Sequence, residues 1–219
     1  MRLLVAGKPL SRILWWTQRA LFAVGVMLLA WCAFVLVDAR IFQQGERLRL
    51  ERLLTTRQET NGGARQTALP TSPKAPPRPV ANGGLIGRIE IPRLGLSAIV
   101  IEGIGATVLR RAVGHIPGTA LPGRPGNVCI SGHRDTFFRP LRHIRQNDVI
   151  KLTTLLGEYR YRVVSTRIVR PNNVAVLDAG GDEILTLITC YPFYFVGPAP
   201  TRYVVRAERV GTNVMKEMD

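Results

Sequence analysis

Many short apolar segments with an alternating pattern follow one another from residue 85 to residue 210, and this succession constrains the fold more than any other feature of the chain. Residues 86–92 alternate apolar and other side chains, as a half-buried strand does. Segments of the same kind recur at 97–101, 127–131, 148–152, 158–169, 184–190 and 203–210. Gly- and Pro-rich turns separate them, and only residues 106–112 and 140–144 favour short helices. We therefore predict an all-β domain over residues 85–219, built as a closed β-barrel of about eight strands.

The chain before residue 85 divides into three parts by composition. Residues 1–19 carry four basic residues and no acid, and residues 20–37 are eighteen residues without a charge, next to Trp15 and Trp16. This pattern predicts a cytoplasmic N-terminus followed by one transmembrane helix. Residues 38–84 begin with a polar helical pattern and continue as a Pro/Gly-rich linker. We expect a single-pass protein of the cell membrane with its folded domain on the extracytoplasmic side.

A cleaved signal peptide is the alternative to an uncleaved anchor. Residues 37–39 are an acceptable cleavage site, but the apolar core of a signal peptide is normally shorter, about 7–15 residues. A lipoprotein signal ending at Cys32 is disfavoured because Trp31 before it is too large for that site. We adopt the uncleaved anchor as the interpretation.

The charge of the chain is spread along its whole length. The formal net charge is +15; residues 1–84 carry 12 basic and 4 acidic residues, and residues 85–219 carry 18 and 11. The sequence contains no dense basic helix and no basic patch interleaved with aromatic residues, so nucleic-acid binding is not indicated. Attraction to an anionic membrane or wall surface accounts for the excess equally well.

Three cysteines stand far apart, at positions 32, 129 and 190. Their odd number and spacing do not indicate a disulfide framework. Cys190 ends a predicted strand two residues before Pro192, where the sheet can hold a thiol and a substrate can still reach it. A thiol is a weak nucleophile unless a neighbour lowers its pKa or takes its proton. A disulfide between Cys129 and Cys190 would silence Cys190 if their strands are neighbours.

The candidate base for that thiol is His133. It lies at the junction between the strand at 127–131 and the following loop, where catalytic residues collect, and Gly132 before it allows a sharp exit from the strand. The other two histidines are His115, which follows Gly114, and His143 in the predicted short helix. Single histidines in such settings are more often structural or solvated.

Three motifs in chain order carry a resemblance to a known family. The segment Thr-Leu-Ile-Thr-Cys at 186–190 matches the Thr-Leu-x-Thr-Cys signature of sortases, the cysteine transpeptidases that attach proteins to bacterial cell walls or join pilin subunits. Gly132-His133 resembles their histidine motif, and Arg202, twelve residues after Cys190, matches their arginine. The forms Gly-His-Arg-Asp-Thr and Thr-Cys-Tyr-Pro-Phe are most similar to class D sortases and their Gram-negative relatives. The resemblance covers about residues 85–210.

The resemblance implies roles for these residues. Cys190 would attack the peptide carbonyl of a sorting signal and form a thioacyl enzyme, and His133 would protonate the leaving amine and deprotonate the incoming one. Arg202 would donate hydrogen bonds to the oxyanion, since its guanidinium stays charged. Arg206 shares its face of the last strand and is the rival for that role.

Strand alternation also selects candidate substrate-binding residues. Thr186 and Ile188 share the face of Cys190, so they line a groove beside the thiol, and Thr189 directly precedes it. As partners the resemblance implies proteins with a C-terminal sorting signal, an amine acceptor on peptidoglycan or a pilin, and the membrane, with no nucleic acid and no cofactor.

Asp135 stays outside the predicted catalytic set. It could orient His133, cap the short helix, or pair with Arg134. Some sortases bind calcium in an acidic loop, but no cluster of acids suited to an oxygen cage is found in this sequence.

Three alternatives from other classes remain at this stage. Cys129, His133 and Cys190 could converge on a zinc ion, although their spacing is not that of a regular zinc motif. The chain could be a membrane-tethered β-barrel that binds partners without catalysis, which predicts an unreactive Cys190. It could also be a thiol hydrolase of the same peptides, because hydrolysis and transpeptidation share the thioacyl intermediate.

Overall fold

A computed structural model of the chain describes residues 8–63, 80–178, 180–195 and 197–211. The chain forms two compact units, Met1–Ile41 and Phe42–Asp219. Much of the predicted Pro/Gly-rich linker, residues 64–79, lies outside the described residues, as do residues 1–7. The division of the chain at residues 19, 37 and 84 therefore stays a prediction.

The described part of the first unit, residues 8–41, lies within one helix. Helix α1 spans Lys8–Gly63 and contains the predicted membrane segment 20–37. In the part of the chain that the structure describes, it is the single helix long and apolar enough to cross a membrane: an 18-residue window within Arg12–Arg57 has a mean hydropathy of 2.7. Large apolar side chains of this unit are exposed, among them Leu21, Phe22, Met27 and Phe34.

The second unit is built on eight strands that close into a barrel, so the predicted fold class is confirmed. The strands are β1 (Leu85–Ile91), β2 (Leu96–Glu102), β3 (Val113–His115), β4 (Gly126–Ser131), β5 (Val149–Thr154), β6 (Gly157–Val169), β7 (Glu183–Tyr191) and β8 (Thr201–Arg209). Around the barrel they follow the order β1-β2-β3-β4-β7-β8-β6-β5, and β5 pairs with β1. The short helices are α2 (Ala106–Arg111) and the single 3-10 turns Pro92–Leu94, Arg139–His143 and Val174–Leu177.

Two of the strand pairs are parallel, and both involve long connections. β3 runs parallel to β2, and β4 runs parallel to β7. β3 has three residues, too few to show an alternating period, and for this reason the sequence pattern did not indicate it. It fills the gap between β2 and β4 and so lets the barrel close.

Alternation along β7 and β8 decides which side chains enter the core. Leu185 and Leu187 of β7, with Val205 and Ala207 of β8, are buried in the main apolar cluster inside the barrel. The residues between them therefore point to the outer face. On β7 these are Thr186, Ile188 and Cys190, and on β8 they are Arg202, Val204 and Arg206.

The C-terminal part of α1 packs against the barrel within the second unit. Its inner face repeats at Gln43, Arg47, Leu50 and Leu54, a spacing typical of one helix face. The Gln43 amide accepts a hydrogen bond from the Ile99 N–H at 2.9 Å and donates one to the Arg111 carbonyl at 2.7 Å. Because β2 pairs with β3 only from Val100 onward, Gln43 satisfies a strand N–H that has no strand partner on that side.

We predict that residues 42–57 stabilise the barrel as well as connecting it to the anchor. Leu50→Ala should lower the free energy of unfolding by about 2–5 kcal/mol, because Leu50 is 1% exposed. Leu48→Ala on the same helix is the matched control, since Leu48 is 53% exposed. Denaturant unfolding of the full chain, followed by near-UV circular dichroism, measures both. Equal midpoints for the two variants would mean that this stretch serves as a stalk alone.

Candidate active site

The outer face of the barrel brings Cys190 and Arg202 directly opposite each other. β7 and β8 are antiparallel, and Cys190 is the register partner of Arg202. Residues opposite each other in such a pair have Cα atoms about 4.5–5.5 Å apart. Cys190 is partly exposed at the end of its strand. The backbone positions of Cys190 and Arg202 therefore lie side by side at one edge of the barrel, on its outer face.

The loop after β4 carries His133 to the same edge. In the parallel pair of β4 and β7, Ser131 is the partner of Ile188. The pairing continues one step beyond the strand, because the Gly132 N–H donates to the Ile188 carbonyl at 3.1 Å. Two residues past Ser131, this register places His133 level with Cys190. By register, the backbone positions of His133, Cys190 and Arg202 thus form one row across three adjacent chain segments.

The position of Gly132, just before His133, has no space for a side chain. A Cβ atom at this position would lie 2.7 Å from a ring carbon of Phe138, and Phe138 is fully buried in the core. The Thr189 hydroxyl donates to the Gly132 carbonyl at 2.7 Å. The residue before His133 is therefore fixed from both its N–H and its carbonyl.

A groove lies on the outer face of the barrel, on the same two strands that carry Cys190 and Arg202. Its cavity volume is about 150 Å³. Its walls come from β6, from the loop between β6 and β7, and from the outer faces of β7 and β8, with lining residues Ser165, Arg167, Val169, Asn173, Ala175, Val176, Thr186, Val204 and Arg206.

The side-chain amide of Asn127 fixes one wall of the groove. Its nitrogen donates to the carbonyls of Val176 and Asp178, at 3.0 and 3.3 Å, and its oxygen accepts from the Thr186 hydroxyl at 2.7 Å. Asn127 is buried at the start of β4. The loop between β6 and β7 is thereby tied to the same two strands that position His133 and Cys190.

The three residues predicted to bind substrate occupy different environments. Thr186 lines the groove, but its buried hydroxyl is already bonded to Asn127. Ile188 is partly exposed on the face of Cys190. Thr189 is buried, with its hydroxyl on the Gly132 carbonyl. Of the three, Ile188 has the accessible side chain.

Comparison with known proteins identifies the family of the chain. The protein-family model of the sortase domain matches residues 89–210 of this chain. Sortase D of Bacillus subtilis is 30% identical over 191 residues, which cover 87% of this chain and 96% of the relative. The chain belongs to the sortase family. The resemblance stated from the sequence motifs is confirmed.

Solved structures of sortases share the fold. A Clostridium perfringens sortase D5 transpeptidase superposes with a TM-score of 0.61 at 24% identity, covering 80% of this chain and 99% of that one. Sortase C from Clostridium perfringens SM101 superposes with a TM-score of 0.55 at 27% identity, covering 74% and 88%. Sortases are cysteine transpeptidases, so the prediction of an enzyme is confirmed at that level.

Arg206 lies farther from the thiol of this sortase than Arg202 does. Arg206 pairs with Thr186, four positions before Cys190 on β7. At about 3.3 Å per residue this separation is about 13 Å along the strand. Arg202 is accordingly the arginine at the level of Cys190, and Arg206 lines the groove.

Cys129 is remote from Cys190 and has a different character. It is fully buried on β4 opposite Thr186, again four positions from Cys190, which is too far for a disulfide between the two or for shared zinc ligands. Burial raises the pKa of the Cys129 thiol to about 12. Cys129 therefore remains a neutral thiol over the physiological range.

The other two histidines lie in other settings. His115 is buried, with Nδ1 2.6 Å from a Glu102 carboxylate oxygen and Nε2 2.9 Å from the Ala120 carbonyl, so both ring nitrogens have structural partners. His143 is exposed, and its Nε2 accepts from Arg142 at 2.9 Å. His133 is the histidine that the fold brings level with Cys190.

Sequence analysis missed the part played by Arg134. Its guanidinium is buried and bonded to carbonyls of the loop between β7 and β8. Asp135 is 71% exposed, and its carboxylate lies 3.5 Å from the Arg134 Nε. Of the three roles considered for Asp135 from the sequence, this contact matches pairing with Arg134. The adjacency of Arg134 to His133 was the available signal, but the sequence does not show which loop a buried arginine will meet.

We predict that Cys190 and Cys129 differ sharply in reactivity. In a Cys32→Ser background at pH 8, iodoacetamide should alkylate Cys190 at least about 100-fold faster than Cys129, because alkylation requires an accessible thiolate. Peptide mass spectrometry measures both rates on the full chain. Cys190→Ala should remove the fast label and Cys129→Ala should leave it. Comparable labelling of the two thiols would contradict the burial and raised pKa assigned to Cys129.

Proposed function

We propose that this sortase is a membrane-anchored transpeptidase that cleaves a C-terminal sorting signal through a thioacyl intermediate on Cys190 and transfers the protein to an amine of the cell envelope or of a pilin. The observation that supports the proposal is the strand register: Cys190 is the partner of Arg202, and the parallel pair of β4 and β7 brings the segment with His133 to the same edge. Nucleophile, proton carrier and oxyanion donor are the three groups that acyl transfer needs.

The first half of the reaction forms the thioester. The Cys190 thiolate attacks the carbonyl carbon of the scissile peptide bond, and the carbonyl oxygen becomes an oxyanion. When the tetrahedral intermediate collapses, the C–N bond breaks and His133 gives its proton to the leaving amine. The new amine departs with the C-terminal part of the signal, and the acyl group remains on sulfur.

The second half reverses these roles. An incoming amine attacks the thioester carbonyl and loses a proton to His133. Collapse of the second tetrahedral intermediate breaks the C–S bond, forms the new amide and returns Cys190 to the thiolate. Protons balance, because the one that His133 gave to the first amine is recovered from the second.

Arg202 is suited to hold the oxyanion. Its Nη1 donates to the carbonyls of Ala199 and Thr201, at 3.2 and 3.1 Å, which orients the guanidinium plane. A guanidinium has five N–H donors in a fixed fork. Among the residues that the structure describes, Nε and Nη2 have no hydrogen-bond acceptor, and these are the donors we assign to the oxyanion and the bound peptide.

Substrate would bind along the groove as an extended chain. The groove lies on the outer faces of β7 and β8 and includes Val204, whose register partner Ile188 stands two positions before Cys190 on the same face. We assign Ile188 to direct contact with the sorting signal, Thr186 to the groove floor, and Thr189 to holding Gly132. The apolar part of α1 would anchor the enzyme, so its substrates would meet it at the extracytoplasmic surface of the membrane.

The proposal is tested with fluorogenic peptides that contain a Leu-Pro sorting motif, with and without an added amine such as triglycine. Full-length protein in detergent micelles should cleave the peptide, and mass spectrometry should find the amine joined to its N-terminal part. Cys190→Ala should abolish both products while Cys129→Ala keeps them. Cleavage with release to water alone, at saturating amine, would show a hydrolase, and turnover by Cys190→Ala would reject the mechanism.

A second prediction separates the two outer-face arginines of β8. Arg202→Lys should lower kcat about 100- to 1000-fold, as expected when an oxyanion donor is lost, because an ammonium does not reproduce the planar fork. Arg206→Lys, the same change about 13 Å farther along β8, should leave kcat within a few-fold. Steady-state cleavage of the same peptide measures both variants. The reverse ranking would assign the oxyanion to Arg206.

A further inference from the structure

Arg134 is a buried cation directly after the proposed catalytic histidine. The residue is 6% exposed, although arginine is seldom so buried without partners. Its Nη1 donates to the Pro192 carbonyl at 2.9 Å, and its Nη2 donates to the carbonyls of Phe195 and Gly197, at 2.6 and 3.0 Å. Three charge-assisted hydrogen bonds compensate for the burial of the charge.

All three acceptors belong to the loop that joins the other two residues of the row. β7 ends at Tyr191, just after Cys190, and β8 begins at Thr201, just before Arg202. The Arg134 side chain thus connects the segment that carries His133 with the connection between Cys190 and Arg202. The guanidinium carbon also lies 5.9 Å from the centre of the Phe195 ring, which adds a cation–π contact to the same loop.

The imidazole of His133 depends on its backbone for its position. His133 is exposed, and within the described residues its ring makes no hydrogen bond. Upstream, Gly132 is fixed to β7 by its own N–H and by the Thr189 hydroxyl. Downstream, the Phe138 N–H bonds to the His133 carbonyl at 3.1 Å, and Arg134 ties the segment to the loop. Of these attachments, Arg134 alone reaches the loop between Cys190 and Arg202.

We propose that Arg134 is a positioning residue for the transfer reaction: by bonding to the carbonyls of Pro192, Phe195 and Gly197, it sets where His133 stands relative to Cys190 and Arg202. This inference rests on the proposed function. Arg134 contacts neither substrate nor reacting atoms and acts through His133. Lysine keeps its charge but lacks the planar fork that serves three carbonyls from one group, so Arg134→Lys should restore only part of the function.

The first test compares turnover of the Leu-Pro fluorogenic peptide by full-length variants in micelles. Arg134→Gln should lower kcat about 10- to 100-fold with KM within about twofold, because a misplaced proton carrier slows chemistry without weakening peptide binding. Arg134→Lys should fall between Arg134→Gln and the native enzyme. Arg139→Gln is the matched control, because Arg139 is exposed in the same stretch and its side chain has no hydrogen bond among the described residues. The kcat of this variant should equal that of the native enzyme.

The second test needs no peptide substrate. The alkylation rate of Cys190 is measured against pH in the native chain, in His133→Gln and in Arg134→Gln, all in a Cys32→Ser background. Arg134→Gln should change the pH profile in the same direction as His133→Gln, while the limiting rate at high pH stays within about twofold because the thiol remains accessible. A purely structural role would lower thermal stability without moving this profile.

The outcomes distinguish this inference from the proposed function. A native enzyme that cleaves no peptide would overturn the function, and the alkylation profiles would still decide the role of Arg134. Folded Arg134→Gln with native kcat and a native profile would overturn the positioning role. An equal drop in the limiting alkylation rate and kcat would also overturn it, since Arg134 would then hold Cys190 itself. If Arg134→Gln does not fold, Arg134→Lys is judged by the same criteria.

Discussion

The parallel pairing of β4 with β7 is the constraint on which the site depends. Six register pairs, from Gly126–Glu183 to Ser131–Ile188, hold two strands that are more than fifty residues apart in sequence. Because the strands run in the same direction, both end at the same edge of the barrel. That edge is where the chain after β4 carries His133 and where β7 ends on Cys190 and Tyr191. An antiparallel arrangement of the same strands would place the histidine and the thiol at opposite ends.

Much of the fold could be predicted from the sequence because it rests on local patterns. Alternation predicted seven of the eight strands, and the same alternation placed Cys190 and Arg202 on the outer face, opposite Leu187 and Val205 in the core. The order of strands around the barrel could not be read in this way. Both parallel pairs join segments through long connections, and pairing at such distances is decided by how the whole barrel closes.

The polar residues that position the site were not predictable for a related reason. Asn127 and Arg134 each bind main-chain carbonyls of a distant loop, and a carbonyl has no side-chain signature in the sequence. The packing of residues 42–57 on the barrel could not be predicted from the sequence either, because that helix face carries the polar residues Gln43 and Arg47 beside Leu50. A polar face of this kind is typical of a solvated stalk unless its partners are known. The structure supplies those partners.

The candidate site is positioned both by apolar packing in the core and by hydrogen bonds of buried polar side chains. Apolar side chains inside the barrel fix the strands, and hence the levels of Cys190 and Arg202. The same cluster includes Phe138 of the segment after β4, and Phe193 of the loop between β7 and β8 packs against it. Buried polar groups add hydrogen bonds to the backbone: Thr189 holds Gly132 and Arg134 holds the loop between β7 and β8, both at the edge of Cys190, while Asn127 at the start of β4 holds the groove wall. Hydrogen bonds are directional, whereas apolar packing alone leaves a surface loop several alternative positions. The proposed reaction, in which His133 reaches first the leaving amine and then the incoming one, would depend on this directional support.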